Sequence, residues 1–514
     1  MLLAAALVAC SADRAAESQQ SSTEATTSTV SPTSVEPVVP RPRTIAEENA
    51  LPGSPGWAPP DDPAVVTKVS GWLDQLSAER GATVGAYVST SAATFHIEAV
   101  RLGWYGGAAG RVVWRSAEVP GVVQPPPRID PTTNMRDAPW TKSTDITIDH
   151  DWTPGVFVFK LVSSDGGQSM MPLVVRDDSS RASILIGSAV TTWQAYNGWG
   201  DANLYTGGSP PDVKKRSKVV SFDRPYAMNG GTGELFGRED WLLYMVESMG
   251  LDVTYTTDLD VDARPELLTN HRVYIIPTHD EYWTKAMRDG VEAARDKGVN
   301  LIFMGANAVY RRIRLEPSAI GPQRQQVNYR VAKDDPLYGV DDEQVTTSWR
   351  ESPHARPESS LIGQQYECNP VDAPMVIVKA SSWIFEGTGL QNGDKLPHIV
   401  LGEYDRVMPD SPTPENVEVV AHSPLTCGGR RSFADMTYYT APSGAGVLAT
   451  GTFGWEPRLG PPCHVDQMDQ VDCQIRHAMV NVLRVFASGP AGVVHPSQSN
   501  LAELGIRAGS ATAN

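Results

Sequence analysis

The sequence predicts an α/β protein with a doubly wound, mostly parallel sheet, preceded by a β-sandwich domain. Three observations carry this. From Ser183 onward short strands alternate with amphipathic helices. Those strands are apolar throughout, as strands covered on both faces are. Before Ser183 the pattern is strand, glycine-rich turn and strand again, with no helical period except in VTKVSGWLDQLSAER, which could hold a short helix.

In chain order, the opening MLLAAALVAC is apolar and ends at Cys10. Leu7-Val8-Ala9-Cys10 has the order of a bacterial lipobox, although no basic segment precedes it. Residues 1–10 are therefore expected to be a lipoprotein signal, with Cys10 lipidated and the protein anchored on the extracellular face of the cell membrane. Residues 11–57, rich in Ser, Thr, Pro and Glu, read as a disordered tether. Residues 58–178 read as the sandwich, through GATVGAYVST, TFHIEAVRLGWYGG and DWTPGVFVFKLVSSDGG.

Residues 179–490 read as the α/β domain. SILIG is its first strand, and REDWLLYMVESMG sets Leu242, Met245, Val246 and Met249 at helical spacing before Gly250. LDVTYTTDLD, HRVYIIPTH and VNLIFMGAN are further strands, with a helix in TKAMRDGVEAARDKG. HIVLGEYDRV, VEVVAHSPL, SFADMTYYTA and GAGVLATGTF follow as strands. The last helix, CQIRHAMVNVLRVFAS, puts Ile475, Met479, Val482, Leu483 and Phe486 on one face. Residues 491–514 read as a disordered tail.

The 514 residues carry a formal charge of −17, which argues against nucleic acid as a partner. The richest basic run, Lys214-Lys215-Arg216, reads as a solvated loop. No stretch of about 18 apolar residues predicts a membrane-spanning helix. Without Cys10, four cysteines remain, an even number that fits two disulfides in an oxidising compartment. Cys463 and Cys473 are close in sequence, which leaves Cys368 with Cys427. The absence of CxxC spacing speaks against zinc.

In open α/β sheets ligands bind beyond the carboxyl ends of the strands. Three such ends deliver SAVTTWQAYNGWGDANLY, His279-Asp280-Glu281, and Asn307 with Tyr310 and Arg311. Asn197, Tyr205, Asn307 and Arg311 are thus expected in one crevice. Residues 279 and 281 of an extended segment point to the same side. Asp280 is read as the cap of the helix that follows. Tyr196, Tyr205 and Tyr226 offer phenolates, hard oxygen ligands suited to ferric iron. Two tyrosinates and one carboxylate would bring three negative charges to a trivalent metal and leave a histidine free to move protons.

TTWQAYNGWGDANLY, VVSFDRPY, LDVTYTTDLD, THDEYW and NLIFMGANAVYRRIR together resemble the C-terminal domain of the large (β) subunit of N,N-dimethylformamidase and its relatives. IEAVRLGWYGG and DWTPGVFVFKL resemble that family's N-terminal sandwich, and SGAGVLATGTFGW extends the resemblance, which covers residues 58–490. It implies a glutamine-amidotransferase-like α/β domain and an amide hydrolase with a mononuclear iron bound by two tyrosines and a glutamate. By motif, the resemblance implies Fe(III) on Tyr196, Tyr226 and Glu281, with Tyr205 the alternate tyrosine; a divalent metal is the alternative ion. It implies His279 as the catalytic histidine and a second, distant acid, for which Asp435 is the nearest candidate. The characterised enzyme is cytoplasmic and has a small partner subunit. This chain reads as exported, so its substrate does not carry over. The function expected is an exported, membrane-tethered, metal-dependent hydrolase of a small-molecule amide. The competing reading is a non-catalytic envelope or carbohydrate-binding protein, whose Trp104, Tyr105, Trp114, Trp140 and Trp152 would stack on sugars.

Overall fold

Five short aliphatic runs, ILI, VTY, VYII, NLIF and GVLA, are buried at every position and form the parallel part of a central sheet. The computed structural model describes residues 42–59, 62–460 and 470–506, with the backbone of 509–510. Cys10, the signal-like segment, Cys463 and most of the tether lie outside the described residues, as does the end of the tail.

The central sheet has seven strands, in the order Val253–Tyr255, Ile184–Ile186, Val273–Ile276, Asn300–Phe303, Gly446–Ala449, Arg430–Thr440 and Glu418–Cys427. The first five are mutually parallel, and the last two join antiparallel.

The expectation of a doubly wound α/β fold is corrected here. The described residues form seven sheets, most of them antiparallel or mixed. Helices are few and mostly short: seven residues over Val190–Tyr196, nine over Asp240–Ser248, six over Asp258–Ala263. The chain is β-rich. The physical reason lies after residue 311, where the strands pair as hairpins with one another rather than through helical crossovers. Gln365–Val376 with Lys395–Arg406 is the longest of these hairpins, and three register shifts bend it.

Before residue 180 two sheets face each other. Val69–Leu73, Thr83–Thr90 and Thr144–Thr147 form one. Thr94–Leu102, Gly155–Ser163 and Gln168–Arg176 form the middle of the other. Val84, Ile146, Phe95, Phe157 and Leu173 fill a single core between them.

The helix Lys285–Asp296 is capped by Thr284, whose Oγ1 accepts from the Met287 amide at 3.1 Å. Asp280 is therefore not the cap. It is buried four residues upstream, because Tyr282–Thr284 is a short strand paired with Arg311–Glu316. The last helix, Gln470–Ser488, buries Ile475, Met479, Val482, Leu483 and Phe486. A disulfide joins Cys368 to Cys427, with Cα atoms 6.3 Å apart, and ties the long hairpin to the edge strand of the central sheet.

A fully buried ion pair joins these parts. Arg101, on a sandwich strand, donates Nη1 and Nη2 to the Glu247 carboxylate at 2.8 and 2.7 Å, both side chains fully buried. Glu247, on the helix Asp240–Ser248, also accepts from Asn49 and Tyr255 at 2.7 Å each. Thr153 and Pro154 carbonyls take further Arg101 protons at 3.2 and 3.0 Å. A buried pair so fully bonded is costly to break from one side. Glu247→Ala is expected to lower unfolding free energy by about 3–5 kcal/mol, read from denaturant midpoints. An effect below about 1 kcal/mol, the range of a surface ion pair, contradicts this.

Candidate functional site: a buried tyrosine, carboxylate and imidazole centre

Pro277 ends the strand Val273–Ile276, and Thr278 through Glu281 are all buried. Backbone contacts fix this segment on both sides. Glu281 N donates to Thr192 Oγ1 at 3.0 Å, and Thr191 Oγ1 donates to the Tyr282 carbonyl at 2.8 Å. On the other side, the Val309 and Arg311 amides donate to the Asp280 and Glu281 carbonyls, each at 2.8 Å. Gly305 allows the approach, since a Cβ there would lie 1.5 Å from the Thr278 carbonyl oxygen.

Four groups meet at the Glu281 carboxylate. Tyr196 and Tyr205 hydroxyls donate to Oε2 at 2.8 and 2.6 Å, and Tyr205 also reaches the Tyr196 hydroxyl at 2.6 Å. Arg311 Nε stands 3.5 Å from Oε1, and His279 Nε2 3.7 Å from Oε2, too long for a hydrogen bond. Tyr282 donates to Tyr205 at 2.9 Å. Burial alone would raise the Glu281 carboxyl. The protonated His279 beside it, with Arg311 and Tyr205, holds it below the usual glutamate value instead. The phenols of Tyr196 and Tyr205 are pushed well up, first by burial and then by the Glu281 charge.

His279 lies between the Tyr196 and Phe453 rings, 4.9 and 5.0 Å from their centroids. Its Nδ1 is 2.9 Å from Glu234 Oε2. Burial works to lower the imidazole, but the charge and hydrogen bond of Glu234, helped by Glu281, raise it to about 10. The ring therefore carries both protons at neutral pH, and its Nε2 has no hydrogen-bond partner.

A second buried carboxyl, which sequence reasoning missed, faces this centre. Glu403, on the strand Lys395–Arg406, accepts from Asn369 Nδ2 at 2.7 Å, and its Oε2 has no hydrogen-bond partner. Burial raises its carboxyl, with the His279 charge acting against it. Gly402, at φ 73°, interrupts the strand just before it. The only sequence signal was an acid inside an apolar strand, beside a glycine.

Other expected residues lie elsewhere or act differently. Tyr226 packs edge-on against Trp193 at 6.2 Å, its hydroxyl buried without a partner, and it does not touch Glu281. Tyr205 stands beside Tyr196 in its place. Asp435 accepts from the Val407 amide at 2.8 Å, just after the strand Lys395–Arg406, and pairs with His422 Nδ1 on its own hairpin at 2.6 Å. Asn197 holds the loop after Tyr196, donating to Gln194 and to the Pro225 carbonyl at 2.7 and 2.8 Å. Asn307, at φ 58°, donates its amide to Asp405 at 2.7 Å.

Phenols, a carboxylate and an imidazole meeting beyond the carboxyl ends of parallel strands define a protein with a buried, oxygen-rich polar centre. A family model described as N,N-dimethylformamidase beta subunit-like, C-terminal, matches residues 96–469, and the chain belongs to that family. No curated protein matches the chain. Among solved structures, a Paenibacillus sp. cycloisomaltooligosaccharide glucanotransferase complexed with cycloisomaltoheptaose is 9% identical over 74% of this chain and 68% of its own. Its TM-score of 0.17 carries no conclusion.

Asp405 gives this region a testable pH dependence. It is fully buried, and burial raises its carboxyl to about 8 against the bond from Asn307. A carboxyl raised by folding favours the protonated fold. Its contribution is complete below the unfolded value of about 3.9 and is lost as pH rises through the folded one. Relative to Asp405→Asn, wild-type stability is expected to fall by up to about 1.4 kcal/mol per pH unit across that window. Denaturant melts at a series of pH values check it, and parallel curves for the two proteins contradict it.

Proposed function

We propose that this chain hydrolyses the carbon–nitrogen bond of a small-molecule amide, with a metal held by Tyr196, Tyr205 and Glu281. The convergence of those three oxygens, 2.6–2.8 Å apart, is the observation that carries the reading. They fit such an ion. Metal ligands must give up their protons, and the protons lying between these phenols and the carboxylate are those a cation displaces. Two phenolates and one carboxylate match the charge of Fe(III) and its preference for hard oxygen. Among the described residues no group of three or more His, Cys, Asp or Glu could hold a metal, so a divalent ion would depend on the same phenols. When bound, the ion supplies Lewis acidity toward the substrate carbonyl.

The chain's own residues account for the protons. Glu403, with Oε2 free, takes a proton from the water that attacks the carbonyl carbon. His279, fixed at Nδ1 by Glu234, gives its Nε2 proton to the departing nitrogen as the C–N bond breaks. A carboxylic acid and an amine leave. The Cys368–Cys427 disulfide supports an exported protein, and lipid attachment at Cys10 belongs to the same proposal. The sugar-binding alternative has less support. Tyr105 and Trp152 are buried, and Trp140 is half-buried with its Nε1 on the Pro125 carbonyl.

Protein reconstituted with ferric salt is expected to bind one iron per chain and to absorb visible light through tyrosinate. Glu281→Gln should lose the iron, Tyr205→Phe should shift or erase the band, and Tyr226→Phe should leave it unchanged. No bound iron and no band in the wild type, or equal effects of the two tyrosine variants, would defeat the assignment. Across a panel of simple amides, His279→Ala should lower kcat by about 10²–10⁴.

A further inference from the structure

The basic run at 214–216 divides in the fold. Lys214 and Lys215 are exposed, but Arg216 is half-buried, which corrects its reading as a solvated loop residue. Its Nη2 donates to the Tyr329 carbonyl at 3.3 Å, and its Nε is buried with no hydrogen-bond partner. Arg330 comes next in the chain after that carbonyl. Its guanidinium stands 4.1 Å over the Tyr205 ring, its Nη2 donates to the Tyr282 hydroxyl at 3.3 Å, and its Nε also lacks a partner. Arg330 holds this pose at φ 64°, a backbone region costly for a non-glycine residue.

Arg216, Arg311 and Arg330 therefore gather on the Tyr205 and Tyr282 side of the centre. They are close enough that the latter two, after burial, depress the Arg216 guanidinium. Arg311 has Glu281. Among the described residues neither Arg216 nor Arg330 makes an ion pair, and Asp334 acts on Arg216 through space without contact. In a chain of net charge −17, acids to neutralise them are abundant elsewhere. Stacking on Tyr205 offsets part of the cost of such a charge and does not neutralise it. What is missing is an anion, and a guanidinium fork is matched by a planar carboxylate.

We infer that the substrate is an amide bearing a carboxylate, which Arg216 and Arg330 bind while the amide reaches Tyr196, Tyr205 and Glu281. This rests on the amide-hydrolase reading for the reaction, but the anion contact can be measured without it.

The test uses the full chain and two probes of similar length, N-formyl-β-alanine and the neutral N-butylformamide. Wild-type kcat/KM is expected to favour the carboxylate at least about 30-fold, the scale of a desolvated charge pair. Arg216→Gln and Arg330→Gln should each bring that ratio near one, mainly through KM, and Arg216→Lys should restore part of it. Equal kcat/KM for the two probes, or a preference untouched by both variants, overturns the proposal. If neither probe is cleaved, the hydrolase reading fails and calorimetry decides the contact. Tighter binding of N-formyl-β-alanine than of N-butylformamide, lost in Arg216→Gln of unchanged melting temperature, upholds it. Equal binding overturns it.

Discussion

A carboxylate shut away from water must be surrounded by groups that replace the water, and Glu281 imposes that demand on the structure around it. An unpaired ion there would cost several kcal/mol. Two phenols, one imidazolium and one guanidinium answer it. The phenols come from one stretch of chain, His279 from the segment of Glu281 itself and Arg311 from a third, so the carboxylate fixes where three stretches must meet. Thr191 and Thr192 hold the helix bearing Tyr196 against the segment bearing Glu281. Gly305 lets the next strand end pass close enough for the Arg311 amide to clamp the same residue.

The hairpins give that centre its second half. A parallel sheet brings loop residues to one edge, and here that edge supplies the tyrosines, His279, Glu281 and Arg311. The acid on the far side, Glu403, comes from an antiparallel strand more than a hundred residues after Glu281, steadied by Asn369 beside Cys368. The β-rich architecture is thus the means by which a distant carboxyl reaches the imidazole.

Legibility in the sequence followed the range of the forces involved. Apolar strand runs and the buried stripe from Ile475 to Phe486 are local patterns, and local patterns can be read. The proximity of His279 and Glu281 is also local. The choice between Tyr205 and Tyr226 is not, because only packing shows that Tyr226 turns to Trp193 while Tyr205 reaches Glu281. Glu403 and Arg216 were hidden for the same reason. One looks like an acid in an ordinary strand, the other like part of a solvated basic loop, and only long-range folding turns them inward. The fold class was misjudged because apolar strands look alike whether a helix or a hairpin returns the chain.

The Arg101–Glu247 pair also bears on how such a protein can change over time. Its two charges come from opposite sides of a seam, one from the sandwich and one from the helix behind the central sheet. If recombination exchanged the sandwich for an unrelated module, Glu247 would be left as a bare buried anion. If the sandwich moved elsewhere, Arg101 would be left as a bare cation. A swap that keeps the fold would therefore have to carry a neutralising change at position 247 with it.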